Sequence, residues 1–227
     1  MLTSSDFAQS IAEAARTLYK PRSLDETMQT IVEVACNSVP GFDHAGISTV
    51  EKRGAIETEA CTSDLVLRLD AVQYALREGP CSAVLQGTDA VCVSILEHEQ
   101  RWPLYVPQAL EAGVRSQMAV KLYLGEDTLG GISFYSTTSD EVTEDARALA
   151  GLFATHAAIA LGHAQERAGL TEGLQSRRVV GQAIGILMAR YEMNEDRAFA
   201  FLVRASSHRN IKLRAIAQEL VDEANAP

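Results

Sequence analysis

Residues 116–136 read SQMAVKLYLGEDTLGGISFYS. Two strand-like runs, SQMAVKLYL (116–124) and LGGISFYS (129–136), flank the turn-rich spacer Gly125-Glu126-Asp127-Thr128, a pattern that predicts a β-hairpin. Gly130 and Gly131 fall inside the second run. They lack the Lys-Ser/Thr of a phosphate loop and the third glycine of a dinucleotide turn. A bulge or close sheet packing is the expected reason for the pair.

Upstream, helical and strand periods alternate. Phe7, Ile11, Ala14, Ala15 and Leu18 sit at helical spacing over 4–19, and Pro21 ends that run. A second helix starts at Leu24, with Met28, Ile31, Val32 and Ala35 on one face, and stops at Pro40-Gly41. Strands are expected at 44–50 and 55–61, around the turn Lys52-Arg53-Gly54, and at 90–95. Helices are expected at 64–77, near 81–86 and at 103–112, the last beginning at Pro103.

From Thr143 the sequence is Ala-rich and helical for about 27 residues, against roughly 11–12 for an average helix. That length marks a connecting or dimer-forming helix. Ala146, Ala150, Ala154, Ala157, Ala158 and Leu161 are expected to pack on the sheet and on a partner chain, with a break near Gly169 or Gly173. The remaining segment shows no strand signal and reads as three short helices. The fold class is therefore α+β: an antiparallel sheet with flanking helices over 1–165, joined by a long helix to an all-α three-helix module over 166–227.

Composition bounds the function. The chain has 227 residues, 47% hydrophobic and 22% charged, which excludes disorder and fibrous folds. No apolar run approaches the roughly 18 residues of a spanning helix, and the start MLTSSDFAQS lacks a signal-peptide pattern, so the expected place is the cytoplasm, with no membrane partner. Cys36, Cys61, Cys81 and Cys92 show no C-x-x-C pair, and most of them read as reduced, buried small hydrophobes. Charge divides the chain. Residues 1–173 hold 12 Lys+Arg against 24 Asp+Glu, whereas 174–227 hold 8 against 6. Such asymmetry hints at two jobs on one chain.

Three stretches, LREGPCSAVLQG (76–87), EQRWPLYVPQALEAGVRSQMAVKL (99–122) and LGGISFYS (129–136), together with the order of elements, resemble GAF domains of actinobacterial type. The resemblance covers 24–163. It implies a helix pair beside a five- or six-stranded antiparallel sheet, with a ligand pocket on the opposite face. Members of that family bind cyclic nucleotides, haem, bilins or other small molecules. Here the Asn-Lys-Phe-Asp-Glu signature of cyclic-nucleotide members does not occur, and no Cys-His dipeptide offers a bilin attachment point. His44, His98, His156 and His163 are isolated, and the words around Cys81 and Cys92 do not match a GAF-type methionine sulfoxide reductase. Glu78, Asp89 and Glu97 form no acid/base pair. No catalytic or metal-binding residue is assigned, and the sensor's ligand and cofactor stay unnamed.

The segment SRRVVGQAIGILMARYEMNEDRAFAFLVRASSHRNIKLRAIAQELV (176–221) resembles an ANTAR domain, the RNA-binding module of bacterial transcription antiterminators. Gly181-Gln182-Ala183, Gly185 and Leu187-Met188 match its first helix, Arg197-Ala198-Phe199 its second, and Asn210, Lys212-Leu213 and Ala217 its third. Relatives often carry Lys between that Ala and Gly, where this chain has Ile184.

The residues make physical sense independently. Gly181, Ala183 and Gly185 are expected to let another helix approach closely. Asn194 is a good cap for the second helix, whose buried stripe is expected at Ala198, Phe201, Leu202 and Ala205. Asn210 is expected to cap the third, with a stripe at Leu213, Ile216, Ala217, Leu220 and Val221. Outside the stripes stand Arg204, His208, Arg209, Lys212 and Arg214. With Arg177, Arg178 and Asn210 they make the candidate RNA-contacting set, since Arg and Lys hold phosphates while Arg, Asn and His stack on or bond splayed bases.

The resemblance implies a signal-responsive antiterminator that binds leader-RNA stem-loops as a homodimer. The alternatives are a DNA-binding regulator using the same three helices and a redox enzyme on the GAF fold. Glu219, Asp222 and Glu223 on the third helix would oppose a duplex phosphate backbone.

Overall fold

In the computed structural model, residues 12–20, 22–50, 55–125 and 127–225 are described. The start of the expected first helix, including Phe7 and Ile11, and the turn Lys52-Arg53-Gly54 lie outside them. The elements run α1 (12–18), α2 (Leu24–Ser38), β1 (His44–Val50), β2 (Ile56–Cys61), α3 (Asp64–Leu76), α4 (Pro80–Leu85), β3 (Ala90–Val93), α5 (Val106–Glu111), β4 (Ser116–Leu124), β5 (Asp127–Ser136), α6 (Glu144–Tyr191), α7 (Glu195–Arg209) and α8 (Leu213–Asn225). They fall into two compact units, residues 1–165 and 166–227.

In the first unit a five-stranded antiparallel sheet has the order β2-β1-β5-β4-β3. Alternation along the strands sends Ile47, Met118, Val120, Ile132 and Phe134 to one face, into a core shared with α2 and the first half of α6. Gly46, Ser48, Gln117, Ser133 and Tyr135 take the other face, toward α3 and α4. The hairpin expected at 116–136 is β4–β5, with a bulge between Leu122 and Tyr123. Its glycine pair is explained by close packing: a Cβ on Gly130 would stand 2.2 Å from the Ser48 carbonyl oxygen of β1. Local chemistry fixes the helix ends. Ser23 Oγ accepts from the Glu26 N–H while Glu26 accepts from the Ser23 N–H, a capping box that opens α2.

Several expectations are corrected. No break occurs at Gly169 or Gly173, because α6 runs as one helix of 48 residues; an isolated helical glycine weakens a helix by only about 1 kcal/mol. Its alanine stripe has no surface left for a partner chain. Ala146, Ala150, Ala154, Ala157, Ala158 and Leu161 are all buried within this chain's own core. In the second unit Ala183 and Leu187 of α6, Ala198 and Leu202 of α7, and Ile216, Ala217 and Val221 of α8 form the core. Phe201 is not part of it and is 43% exposed. Gly181 and Gly185 receive no close helix contact, since a Cβ on either meets nothing within 4 Å. Asn210 does not open α8. It closes α7 in the left-handed conformation (φ 51°), and α8 begins at Leu213, with the Lys212 carbonyl accepting from the Ala215 N–H.

Candidate functional site

On the α3 side of the sheet an apolar core, including Val66, Leu69, Val84 and Tyr105, encloses a polar cluster. Asp70 and Gln73 lie about one turn apart on the buried face of α3, Val66-Leu69-Asp70-Gln73, and both are fully buried. Tyr135 Oη of β5 and Thr58 Oγ1 of β2 donate to the Asp70 carboxylate. Gln73 donates to Tyr135 Oη (2.8 Å), and its carbonyl accepts the Cys81 N–H (2.9 Å) at the start of α4. Tyr105 donates to Gln117 Oε1 at 2.6 Å. Gln117 Nε2 and Ser133 Oγ are buried without a partner among the described residues. Burial pushes the Asp70 carboxyl up to about 6 from 3.8, against the pull of its hydroxyl donors. Beside this cluster, Val50, Ile56, Tyr74, Arg77, Ser82 and Gln86 line a cavity of ≈ 450 Å³.

The four cysteine thiols are all shifted upward. Burial pushes the Cys81 thiol up to about 12 and raises Cys36, Cys61 and Cys92, whereas a reacting thiolate needs a lowered value. All four are free. Glu78, read as chemically idle, holds the approach to α5 by accepting from the Leu104 and Tyr105 N–H groups. Asp89 pairs with Lys121 at 2.7 Å. His44 bonds Ser63, and His156 meets Tyr19 edge-on. Among the described residues no group of His, Cys, Asp and Glu is placed to hold a metal ion, and no helix is long and apolar enough to cross a membrane.

The candidate RNA-contacting residues lie in the second unit, and they divide by partner. Arg209 forms a bidentate pair with Glu219 of α8, and Arg214 reaches Glu172 and Gln175 of α6. Arg204, Lys212, Arg177 and Arg178 are exposed and have no ion pair among the described residues. Arg204 and His208 share a face of α7, one turn apart. Lys212 follows two residues after Asn210 in the α7–α8 turn, and Asn210 is itself exposed. Arg177 and Arg178 lie on α6, away from its core stripe of Ala183 and Leu187. The turn is hydrogen-bonded. Ser206 Oγ donates to the Ile211 carbonyl (2.5 Å), and the Ile211 N–H returns to the Ser206 carbonyl (3.1 Å). Two exposed residues of α7 were not among the candidate RNA contacts: Arg197, matched only to the family's second helix, and Phe201, assigned there to the core.

The GAF domain family matches residues 21–162, and the ANTAR domain matches residues 168–221. No curated protein matches the chain. Among solved structures, the GAF domain of a phosphoenolpyruvate-protein phosphotransferase from Coxiella burnetii is similar with a TM-score of 0.59 at 13% identity, over 74% of this chain and 99% of that one. A bacteriophytochrome from R. palustris gives 0.59 at 13%, over 82% of this chain, which spans 43% of the bacteriophytochrome's length. A type II free methionine-R-sulfoxide reductase from Thermoplasma acidophilum gives 0.50 at 18%, over 62% of this chain and 93% of that one. Identities this low show a common fold and nothing of activity. With a family match over more than half its length, the chain belongs to the GAF domain family and carries an ANTAR domain over residues 168–221.

Proposed function

We infer that this protein is a signal-responsive, cytoplasmic transcription antiterminator that binds leader-RNA stem-loops through residues 166–227 as a homodimer. An ANTAR domain points to RNA-binding antitermination and a GAF domain to signal sensing, which supports reading the chain as a regulator rather than an enzyme. The observation that carries the reading is the pair Arg204 and Lys212. Both are exposed cations without an ion pair among the described residues, on either side of the turn fixed by Asn210. Free cations beside a hydrogen-bonded turn suit the phosphates of a folded RNA loop. On the sensor side, the ≈ 450 Å³ cavity beside Tyr74 supports a small-molecule signal.

A competition experiment tests this. Labelled RNA hairpins with a randomised loop are bound to the full chain and competed with blunt duplex DNA of equal length. The expected result is displacement by unlabelled hairpins only. Equal displacement by duplex DNA would assign the same helices to DNA.

A further inference from the structure

Helix α7 presents two unlike flanks beside its core stripe of Ala198 and Leu202. On one flank Asp196, Phe199 and Val203 follow at i, i+3 and i+7. On the other, Arg197, Phe201, Arg204 and His208 follow at i, i+4, i+7 and i+11, so the aromatic ring stands between cations one turn to either side. All four are exposed, and Phe201 keeps 43% of its surface in water although Leu202 beside it keeps none. Arg197 and Arg204 have no ion pair among the described residues.

We propose that Phe201 is the stacking platform for an unpaired base of the RNA loop, with Arg197 and Arg204 holding the phosphates on either side. This rests on the RNA-binding reading above and adds to it the residue that takes the base. Charge complementarity selects the occupant. A protein partner fits the flank of Phe199 and Val203, which carries an acid and no cation, whereas a ring bracketed by arginines offers a π-face to a base and positive charge to its backbone. Every base has such a face, so the platform favours unpaired over paired RNA without choosing a sequence.

The test uses the full chain and RNA hairpins with a randomised loop, some carrying 2-aminopurine in the loop. Phe201→Ala and Phe201→Leu are expected to weaken hairpin binding by roughly 5- to 150-fold and to abolish the quenching of 2-aminopurine. Phe201→Tyr is expected to restore both. The slope of log affinity against log salt stays unchanged in these variants but falls by roughly 0.7 in Arg204→Ala. Wild-type affinity in Phe201→Ala, or retention in Phe201→Leu equal to Phe201→Tyr, would overturn the stacking assignment alone. A Phe201→Ala protein with altered sedimentation and unaltered hairpin affinity would overturn it in favour of a protein contact. Failure of the wild-type chain to bind any hairpin would overturn both this assignment and the RNA reading.

Discussion

Tyr135 on β5 donates its hydroxyl hydrogen to the carboxylate of Asp70 on α3, joining residues 65 apart in sequence at the buried centre of the first unit. The bond ties helix to sheet where an apolar pair would ordinarily stand, and it makes the unit sensitive to protons. A fully buried carboxylate is costly, and the hydroxyls of Tyr135 and Thr58 offset only part of that cost.

The folded-state value of Asp70, about 6, lies above the 3.8 of a free carboxyl, so between these values the folded state holds a proton the unfolded state has released. Stability contributed by this group is therefore present below pH 4 and is lost as pH rises through 6, by at most about 3 kcal/mol. Asp70→Asn stays neutral throughout. Urea unfolding at pH 4.5 and 7.5 is expected to show the wild type losing stability relative to the variant over that interval; parallel behaviour of the two would remove the buried charge from the account.

Two glycines give opposite expectations. Gly79 opens α4 at φ 104°, and a Cβ there would lie 2.3 Å from Gln73 Oε1, the atom that bonds the Cys81 N–H. Gly79→Ala is expected to destabilise the first unit by about 1–3 kcal/mol through backbone strain and overpacking. Gly185 faces open space on α6, so Gly185→Leu is expected to leave melting of the second unit unchanged or raise it, given the better helix propensity of Leu. Thermal melts of the two variants check both.

The contrast between these glycines marks what the sequence could express. Period and turn residues marked the individual strands, α2 and the β4–β5 hairpin, because each depends on neighbours in the chain, whereas the pairing of β1 with β5 does not. Asn194 was legible for the same reason, its side chain accepting from the Arg197 N–H at 3.0 Å. The polar cluster was less so, since Asp70 and Gln73 occupy apolar-stripe spacing and reveal themselves only by being polar where Val66 and Leu69 are not. Phe201 misled because at i+3 from Ala198 it falls on the margin of the stripe, and only the tertiary packing decides which margin is covered. Asn210 read as a cap for α8, while the same left-handed tolerance that makes it a turn residue lets it close α7.

Division of the basic residues by partner gives a salt experiment. Arg209 and Arg214 are engaged with Glu219, Glu172 and Gln175, whereas Arg204 and Lys212 are not engaged among the described residues. Arg204→Ala with Lys212→Ala is expected to lower the salt slope of hairpin binding by about 1.4–1.8, at roughly 0.7–0.9 per lost phosphate contact. Arg209→Ala with Arg214→Ala is expected to change it less, because exposed pairs of this kind contribute little to folding and their cations are already neutralised. Equal slopes for the two double variants, measured by titration across salt concentrations, would show that the ion pairs open on binding.

With the alanine stripe of α6 enclosed, the proposed dimer is expected to use another, exposed face of that helix. Leu170 and Leu174 are 63% and 67% exposed, in consecutive turns, and Gly181 and Met188 continue the line at i+11 and i+18 from Leu170. The glycine there has no neighbour within 4 Å, so a second backbone is free to approach. Burying an exposed leucine contributes about 1.5–3 kcal/mol, and a two-fold seam buries each position twice. Leu170→Glu with Leu174→Glu is therefore expected to weaken self-association by at least about a hundredfold, while leaving thermal melting of the monomer nearly unchanged, since neither side chain belongs to a core. Ala154→Glu, by contrast, places a charge in the enclosed core and is expected to unfold the first unit rather than dissociate a folded dimer. Sedimentation across a concentration series separates these outcomes. A wild-type chain that sediments as a monomer throughout would remove the dimer, and a double-glutamate variant that stays dimeric would move the interface off this seam.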